Sequence, residues 1–217
     1  MDAEGSAGPF HPAGIMRRPE QLGPFCLNQW DDVFPLTGDT LALGRFATVR
    51  RGDRVCDLGC GSGALLLMAA ERCGELTLAG VDQSSAAVAN AKENLEQNGL
   101  HGAIWMGDVS RRDALPNGGS FDLVLCNPPY YRKGSGKNGG TARMEHSGTI
   151  EDFIAAAAYL LQPGGRLAVV HRADRLTDLL CLLRQYRLEP KRMKLLLPAV
   201  LVEAVKCARP GGLKLEE

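Results

Sequence analysis

The sequence predicts an α/β fold: a single doubly wound, mostly parallel sheet of seven strands ending in a carboxyl-terminal antiparallel hairpin. Three observations carry this expectation. From Arg54 onward, short apolar runs alternate with helix-like stretches, the pattern of repeated strand–helix–strand units. A glycine-rich turn, Gly59-Cys60-Gly61-Ser62-Gly63, separates the first apolar run from the first helix-like stretch. Near the carboxyl end, two apolar runs are joined by little more than Pro198-Ala199, a link so short that it implies an antiparallel pair.

The elements follow in order. Phe34-Pro35-Leu36-Thr37-Gly38-Asp39 leads into the apolar stretch Thr40–Val49, where Asp39 is expected to cap a helix bearing Leu41, Leu43 and Phe46. Val55–Leu58 is the first strand, and Ser62–Cys73, rich in Ala and Leu, the helix after it. Leu76–Val81 is the second strand. Ser84 or Ser85 caps a helix to Gln97, and Asn98-Gly99 stops it. Ala103–Met106 and Phe121–Cys126 are the third and fourth strands. Thr149-Ile150-Glu151-Asp152 resembles a capping box and opens a helix to Leu161, which Gln162-Pro163-Gly164-Gly165 ends. Arg166–His171 is the fifth strand, Asp174 caps a helix to Tyr186, and Arg192–Leu197 and Val200–Cys207 form the closing hairpin.

The bulk numbers fit one domain able to bury its own core. No stretch approaches the roughly 18 apolar residues of a membrane span. The start, MDAEGSAGPFHPAG, has acids where a signal peptide needs bases, and no apolar core; it reads as a disordered tail, and a cytoplasmic location is expected. The seven cysteines are scattered with no Cys-x-x-Cys pair, so neither a metal site nor a disulfide framework is expected. Net charge is zero but unevenly placed. Residues 1–100 hold 8 Lys and Arg against 13 Asp and Glu, whereas residues 101–217 hold 17 against 12. A basic second half suits a phosphate-bearing partner.

Asn127-Pro128-Pro129-Tyr130 stands where the fourth strand runs out. Two prolines offer no N–H to a ladder, so they fix a stiff turn at the carboxyl edge of the sheet, where open α/β folds bind ligands. A carboxamide, a backbone carbonyl and an aromatic ring together can hold a planar –NH2 group. Tyr130 to Gly148 follows directly, with Arg132, Lys133, Lys137 and Arg143 against Glu145 alone, and is placed to serve as a lid or substrate loop.

Glycine spacing in Asp57-Leu58-Gly59-Cys60-Gly61-Ser62-Gly63 would also pass as a relaxed dinucleotide fingerprint. Three acids tip the choice. Asp57 is placed to meet a cationic amino group, Asp82 at the end of the second strand to accept from two ribose hydroxyls, and Asp108, ending the third, to accept from an adenine amine. Such a set suits a ligand with an ammonium, a sulfonium and a ribose better than a pyrophosphate.

This combination resembles the class I S-adenosylmethionine-dependent methyltransferases over about residues 34–208. The NPPY motif resembles the branch acting on N6 of adenine, N2 of guanine or the glutamine amide. Within it, FPLTGDTLALGRFA (Phe34–Ala47), NPPYY (Asn127–Tyr131), ARMEHSGTIEDFIAAAAYLLQPGGRLAVVHRADRL (Ala142–Leu176) and LEPKRMKLLLP (Leu188–Pro198) resemble the bacterial tRNA adenine-N6 methyltransferases that modify an adenine beside the anticodon of a valine tRNA. The resemblance implies a Rossmann-like domain over residues 31–217 behind a partly disordered tail of residues 1–30. It implies S-adenosylmethionine as cofactor, with S-adenosylhomocysteine as product, and a tRNA substrate. Cofactor contacts would come from Thr37, Asp57, Gly59, Cys60, Gly61, Gly63, Asp82, Gln83, Asp108, Val109 and Asn127. Asn127, Pro128 and Tyr130 would be catalytic, and Tyr130, Tyr131, Arg132, Lys133 and Lys137 would hold the substrate. A glutamine-N5 protein methyltransferase and a guanine-N2 rRNA methyltransferase are the alternatives; the former generally carries an amino-terminal helical domain, for which only about 33 residues are present here.

Overall fold

A computed structural model describes residues 19–129 and 148–217. Within the segment expected to be a partly disordered tail, β1 (Glu20–Leu22) and β2 (Phe25–Leu27) pair as an antiparallel hairpin. The chain then forms α1 (Gly38–Phe46), β3 (Arg54–Leu58), α2 (Ala64–Arg72), β4 (Thr77–Asp82), α3 (Ser85–Gln97), β5 (Gly102–Met106) and β6 (Phe121–Cys126). After the undescribed residues come α4 (Ile150–Leu160), β7 (Leu161–Arg172), α5 (Leu176–Gln185), β8 (Leu188–Leu196), β9 (Ala199–Lys206) and β10 (Lys214–Glu216).

The large sheet runs β5-β4-β3-β6-β7-β9-β8-β10. Every neighbouring pair is parallel except those made by β9, which is antiparallel to β7 and β8. The expected architecture is therefore present with one addition: β10 pairs in parallel with β8 and makes the sheet eight-stranded rather than seven. Strand order reverses between β3 and β6, the switch point at which crossovers leave to opposite faces and open a crevice.

Side chains alternate across the central strands, and this divides the core in two. Val55, Leu123, Leu125, Ala168 and Val170 join Leu43, Leu66 and Leu95 of α1, α2 and α3 on one face. Cys56, Leu58, Val124, Cys126, Leu167 and Val169 join Ile154, Leu160 and Leu183 of α4 and α5 on the other. Leu58, Leu123, Val124 and Leu167 have no exposed surface. Burial of each such side chain contributes about 1.5–3 kcal/mol. A one-residue slip would put every side chain on the wrong face, so the register is strongly fixed.

Several local expectations are corrected. Thr37, not Asp39, caps α1, its hydroxyl accepting from Thr40 N. Helix α2 starts at Ala64 because Gly63 takes a left-handed conformation (φ +83°), which leaves Ser62 in the loop. Asp174 caps nothing: it pairs with Arg172 2.6 Å away, and α5 begins two residues later. Strand β8 starts at Leu188 rather than Arg192. Pro190 is absorbed by a register shift before Arg192, which tolerates its missing N–H. Strand β7 starts at Leu161, with residues 162–165 outside the ladder between the Phe121–Leu161 and Leu123–Arg166 pairs. Ser84 caps α3 through Ala87 N, and Thr149 with Asp152 forms the reciprocal capping box on α4.

At the amino edge, Arg166 of β7 forms a buried ion pair with Asp53 and donates to Thr48 O at 3.2 Å. Asp53 also accepts from Arg50 N at 2.7 Å. The pair ties the α1–β3 connection to the far half of the sheet. Arg166→Leu leaves the Asp53 carboxylate without its counter-ion, so urea denaturation should show a loss of about 3–5 kcal/mol; a loss under about 1 kcal/mol would contradict this role.

Candidate active site at the carboxyl edge

The parallel register sets the site. Leu58 of β3 lies beside Val81 of β4 and Cys126 of β6, and Asp82 of β4 lies beside Met106 of β5. The segments that leave these strands, Gly59–Gly63, Gln83–Ser84, Gly107–Val109 and Asn127–Pro129, therefore emerge at one edge.

The first segment needs glycine for its backbone. Gly59, Gly61 and Gly63 have φ of +74°, +52° and +83°, a left-handed region that side chains resist. Gly59 N and Cys60 N both donate to Val81 O, at 2.8 and 3.1 Å, folding the loop back over β4. Cys60 turns inward: its side chain is buried, and its Sγ lies 2.9 Å from where a Cβ on Gly80 would stand. It contributes backbone, not a thiol, to the loop surface.

Asp82 binds this loop to the next helix. Its Oδ2 accepts from Gly61 N and its Oδ1 from Ser84 N, both at 2.9 Å. Burial raises its pKa, while N–H bonds from Ser84, Gly61 and Gln83 pull the other way. A carboxylate has about four lone-pair sites, so beyond these backbone bonds Asp82 keeps capacity to accept from a hydroxyl. Gln83 is exposed at the turn beside it.

Asp57 sits deeper, in β3 between Gly80 and Leu125. It is 2 % exposed, and among the described residues its Oδ1 has no hydrogen-bond partner. Burial, reinforced by the nearby Asp82 charge, pushes its pKa up to about 8. An orphaned, desolvated carboxyl behind a glycine loop is complementary to a cationic amino group, which would supply the missing partner. Asp108 lies two residues beyond β5 instead of ending it. Its Oδ1 is taken by Ser110 N and Ser110 Oγ, both at 2.8 Å, in the turn that follows the strand. Val109 is buried beside Gly148.

Asn127 begins the turn after β6. Its Nδ2 donates to Thr40 Oγ1 at 2.9 Å, and Thr40 Oγ1 is 3.1 Å from Thr37 Oγ1. The amide nitrogen thus faces α1, with Oδ1 at the other end of the carboxamide. Pro128 is buried and Pro129 half-buried. Tyr130, Tyr131, Arg132, Lys133 and Lys137, and with them the expected lid or substrate loop, lie outside the described residues. Sequence reasoning missed Thr40; its signal was the one-turn spacing from Thr37. It also missed Asn94, whose Nδ2 donates to Ser62 O at 2.9 Å behind the glycine loop. Among the described residues, no group of His, Cys, Asp and Glu could hold a metal ion, and no helix is long and apolar enough to cross a membrane.

Comparison with known proteins matches residues 23–185 to the methyltransferase small domain family, and the chain belongs to that family. A tRNA1(Val) (adenine(37)-N6)-methyltransferase of Aeromonas hydrophila is 31% identical over 156 residues, 69% of this chain and 64% of that protein. Its counterpart in Parabacteroides distasonis is 28% identical over 71% of this chain and 66% of that protein. The chain thus spans about two thirds of the length of these relatives. Among solved structures, a Thermus thermophilus 16S rRNA guanine-N2 methyltransferase, in complex with S-adenosylmethionine and guanosine, superimposes with a TM-score of 0.67 at 23% identity. That overlap covers 91% of this chain and 52% of that one. A predicted O-methyltransferase from Agrobacterium tumefaciens gives 0.66 at 23%, over 82% and 84%. At such identity these likenesses speak for the fold.

The Asp57 carboxyl makes the ligand-free protein pH-sensitive. Its folded pKa, about 8, lies above the unfolded value near 4. Its contribution is therefore complete below about pH 4 and lost as pH rises toward 8. Relative to Asp57→Asn, the parent should lose on the order of 3 kcal/mol between pH 5 and 8, read from denaturation midpoints at each pH. A pH-independent difference between the two would contradict the buried, proton-holding state.

Proposed function

We propose that this chain transfers a methyl group from S-adenosylmethionine to the exocyclic N6 amine of an adenine in tRNA, at a nucleotide beside the anticodon of a valine tRNA. The observation that carries the reading is the Asn127 carboxamide at the end of β6, held by Thr40 at the same sheet edge as the glycine loop and Asp82. The adenine assignment is supported by the sequence resemblance and by relatives named for that reaction.

The cofactor's fit rests on the orphaned Asp57 oxygen and the glycine cradle. Asp57 would meet the ammonium, and Gly59, Cys60, Gly61 and Gly63 would offer backbone without side chains. Asp82 and Gln83 would meet the ribose, Asp108 and Val109 the adenine, and Thr37 and Asn127 would border the transfer site. When bound, S-adenosylmethionine supplies a methyl group already activated by a positively charged sulfur.

The chain's task is then orientation. An exocyclic adenine amine is a poor nucleophile because its lone pair is delocalised into the ring. Asn127 Oδ1 and the Pro128 carbonyl would each accept one of its N–H bonds, pulling the lone pair out of conjugation and fixing its direction. No strong base is needed, because the nitrogen's surplus proton becomes acidic only after transfer and can then leave to water. Tyr130 and Tyr131 would stack on the unpaired base, and Arg132, Lys133 and Lys137 would meet tRNA phosphates. A guanine N2 amine or a glutamine amide offers the same planar –NH2, and so would be read by the same two acceptors.

Asn127→Ala should fold and bind S-adenosylmethionine within about threefold of the parent, yet lose methyl transfer to tRNA by at least about a hundredfold in single turnover, roughly 2.7 kcal/mol of barrier. A rate within threefold of the parent would remove Asn127 from its orienting role.

A further inference from the structure

Helix α3 uses asparagine in an unusual way. Asn90 and Asn94 are fully buried, and with Asn98 they recur every four residues on the face turned toward the amino-terminal segment. Asn98 Oδ1 accepts from Cys26 N at 2.9 Å, and its Nδ2 donates to Cys26 O at 2.8 Å. Asn94 repeats the pattern on Asn28, accepting from its N–H at 2.9 Å and donating to its carbonyl at 2.8 Å. Asn90 accepts from Trp30 N at 3.3 Å and donates to Asn28 O at 3.0 Å.

The spacing has a physical basis. Four residues of helix rise about 6.0 Å, and two residues of extended chain advance about 6.6 Å. Asparagines at every fourth position can therefore reach alternate residues of an extended segment laid along the helix. A carboxamide carries the donor and acceptor of a peptide unit. The helix thus stands in for a neighbouring strand, bonding the backbone of Cys26, Asn28 and Trp30, where Cys26 already belongs to a strand paired with β1.

The clamped segment leads to the reaction centre. Gln29, 1 % exposed, accepts from Leu36 N at 2.5 Å and sets the bend after the clamp. Thr37 follows as the cap of α1, and Thr40 receives Asn127 Nδ2. We propose that Asn90, Asn94 and Asn98 are positioning residues that hold the amino-terminal segment in the register that presents Thr37 and Thr40 to Asn127, and thereby fix the orientation of the Asn127 carboxamide. The catalytic consequence rests on Asn127 acting as the acceptor for the substrate amine; the geometric claim does not.

Two variants test it. Asn98→Ala removes both bonds to Cys26 at a half-exposed helix end. Asn94→Asp keeps the acceptor for Asn28 N–H but turns the donor into an acceptor facing two carbonyls. The first readout is the steady-state heteronuclear NOE of the Asn127 side-chain nitrogen, assigned by its loss in Asn127→Ala. It should fall by at least half in each variant, while backbone values in β3 and β6 stay unchanged. The second is a double-mutant cycle in single-turnover transfer to unfractionated tRNA. Asn98→Ala should slow the parent at least fivefold and have no further effect on Asn127→Ala. An unchanged side-chain NOE, or losses that multiply, would overturn the proposal and leave the ladder a structural clamp. If Asn127→Ala leaves the rate untouched, the role of Asn127 fails, and the NOE still decides the geometric claim.

Discussion

The arrangement depends on the parallel register of β3, β4 and β6. Parallel pairing makes all three strands finish at one edge, so the glycine loop, Asp82 and Asn127 meet although they are far apart in sequence. Burial on both faces fixes that register. Leu58, Val81, Leu123, Val124 and Cys126 have no exposed surface, and any slip would expose them. A frame this firmly held can carry costly polar groups. Asp57 is the clearest: a buried carboxyl with an unmatched oxygen is a penalty for folding, tolerated where a cationic ligand would supply the match.

The two halves of the site are braced differently. On the side proposed for the cofactor, the glycine loop is held by its own neighbours: Val81 O takes the N–H groups of Gly59 and Cys60, and Asp82 takes that of Gly61. On the side proposed for the substrate, Asn127 leans on a helix outside the sheet, because Thr40 belongs to α1. Helix α1 is in turn reached through the segment that α3 clamps. Asn94 touches both systems, donating to Ser62 O behind the loop and to Asn28 O in the clamped segment. The groups proposed to hold the cofactor and the group proposed to orient the amine are thus anchored to one helix.

Much of this was legible in the sequence because it is local. Strand–helix alternation, the Gly-x-Gly-x-Gly turn, the strand-ending Asp82 and the proline turn after Cys126 each announce themselves within a few residues. The Thr149–Asp152 capping box did the same. The misses are relations between distant residues or contests between neighbours. Asp39 and Thr37 are both good caps, and the choice fell to Thr37, whose hydroxyl reaches Thr40 N. Asp174 found Arg172 before it found a helix amide. The Asn90–Asn94–Asn98 ladder reads as an ordinary polar helix face until residues 26–30 are laid against it. Strand β10 is three residues of charge and leucine, with no pattern of its own.

The reaction proposed for the chain is methylation of the N6 amine of an adenine in tRNA. The most direct measurement supplies methyl-deuterated S-adenosylmethionine and tRNA from cells lacking this protein, then digests the tRNA to nucleosides for mass analysis. The parent should yield deuterated N6-methyladenosine, and Asn127→Ala none. A label on the N2 amine of guanosine, or on a protein glutamine with the tRNA left unlabelled, would contradict that reaction.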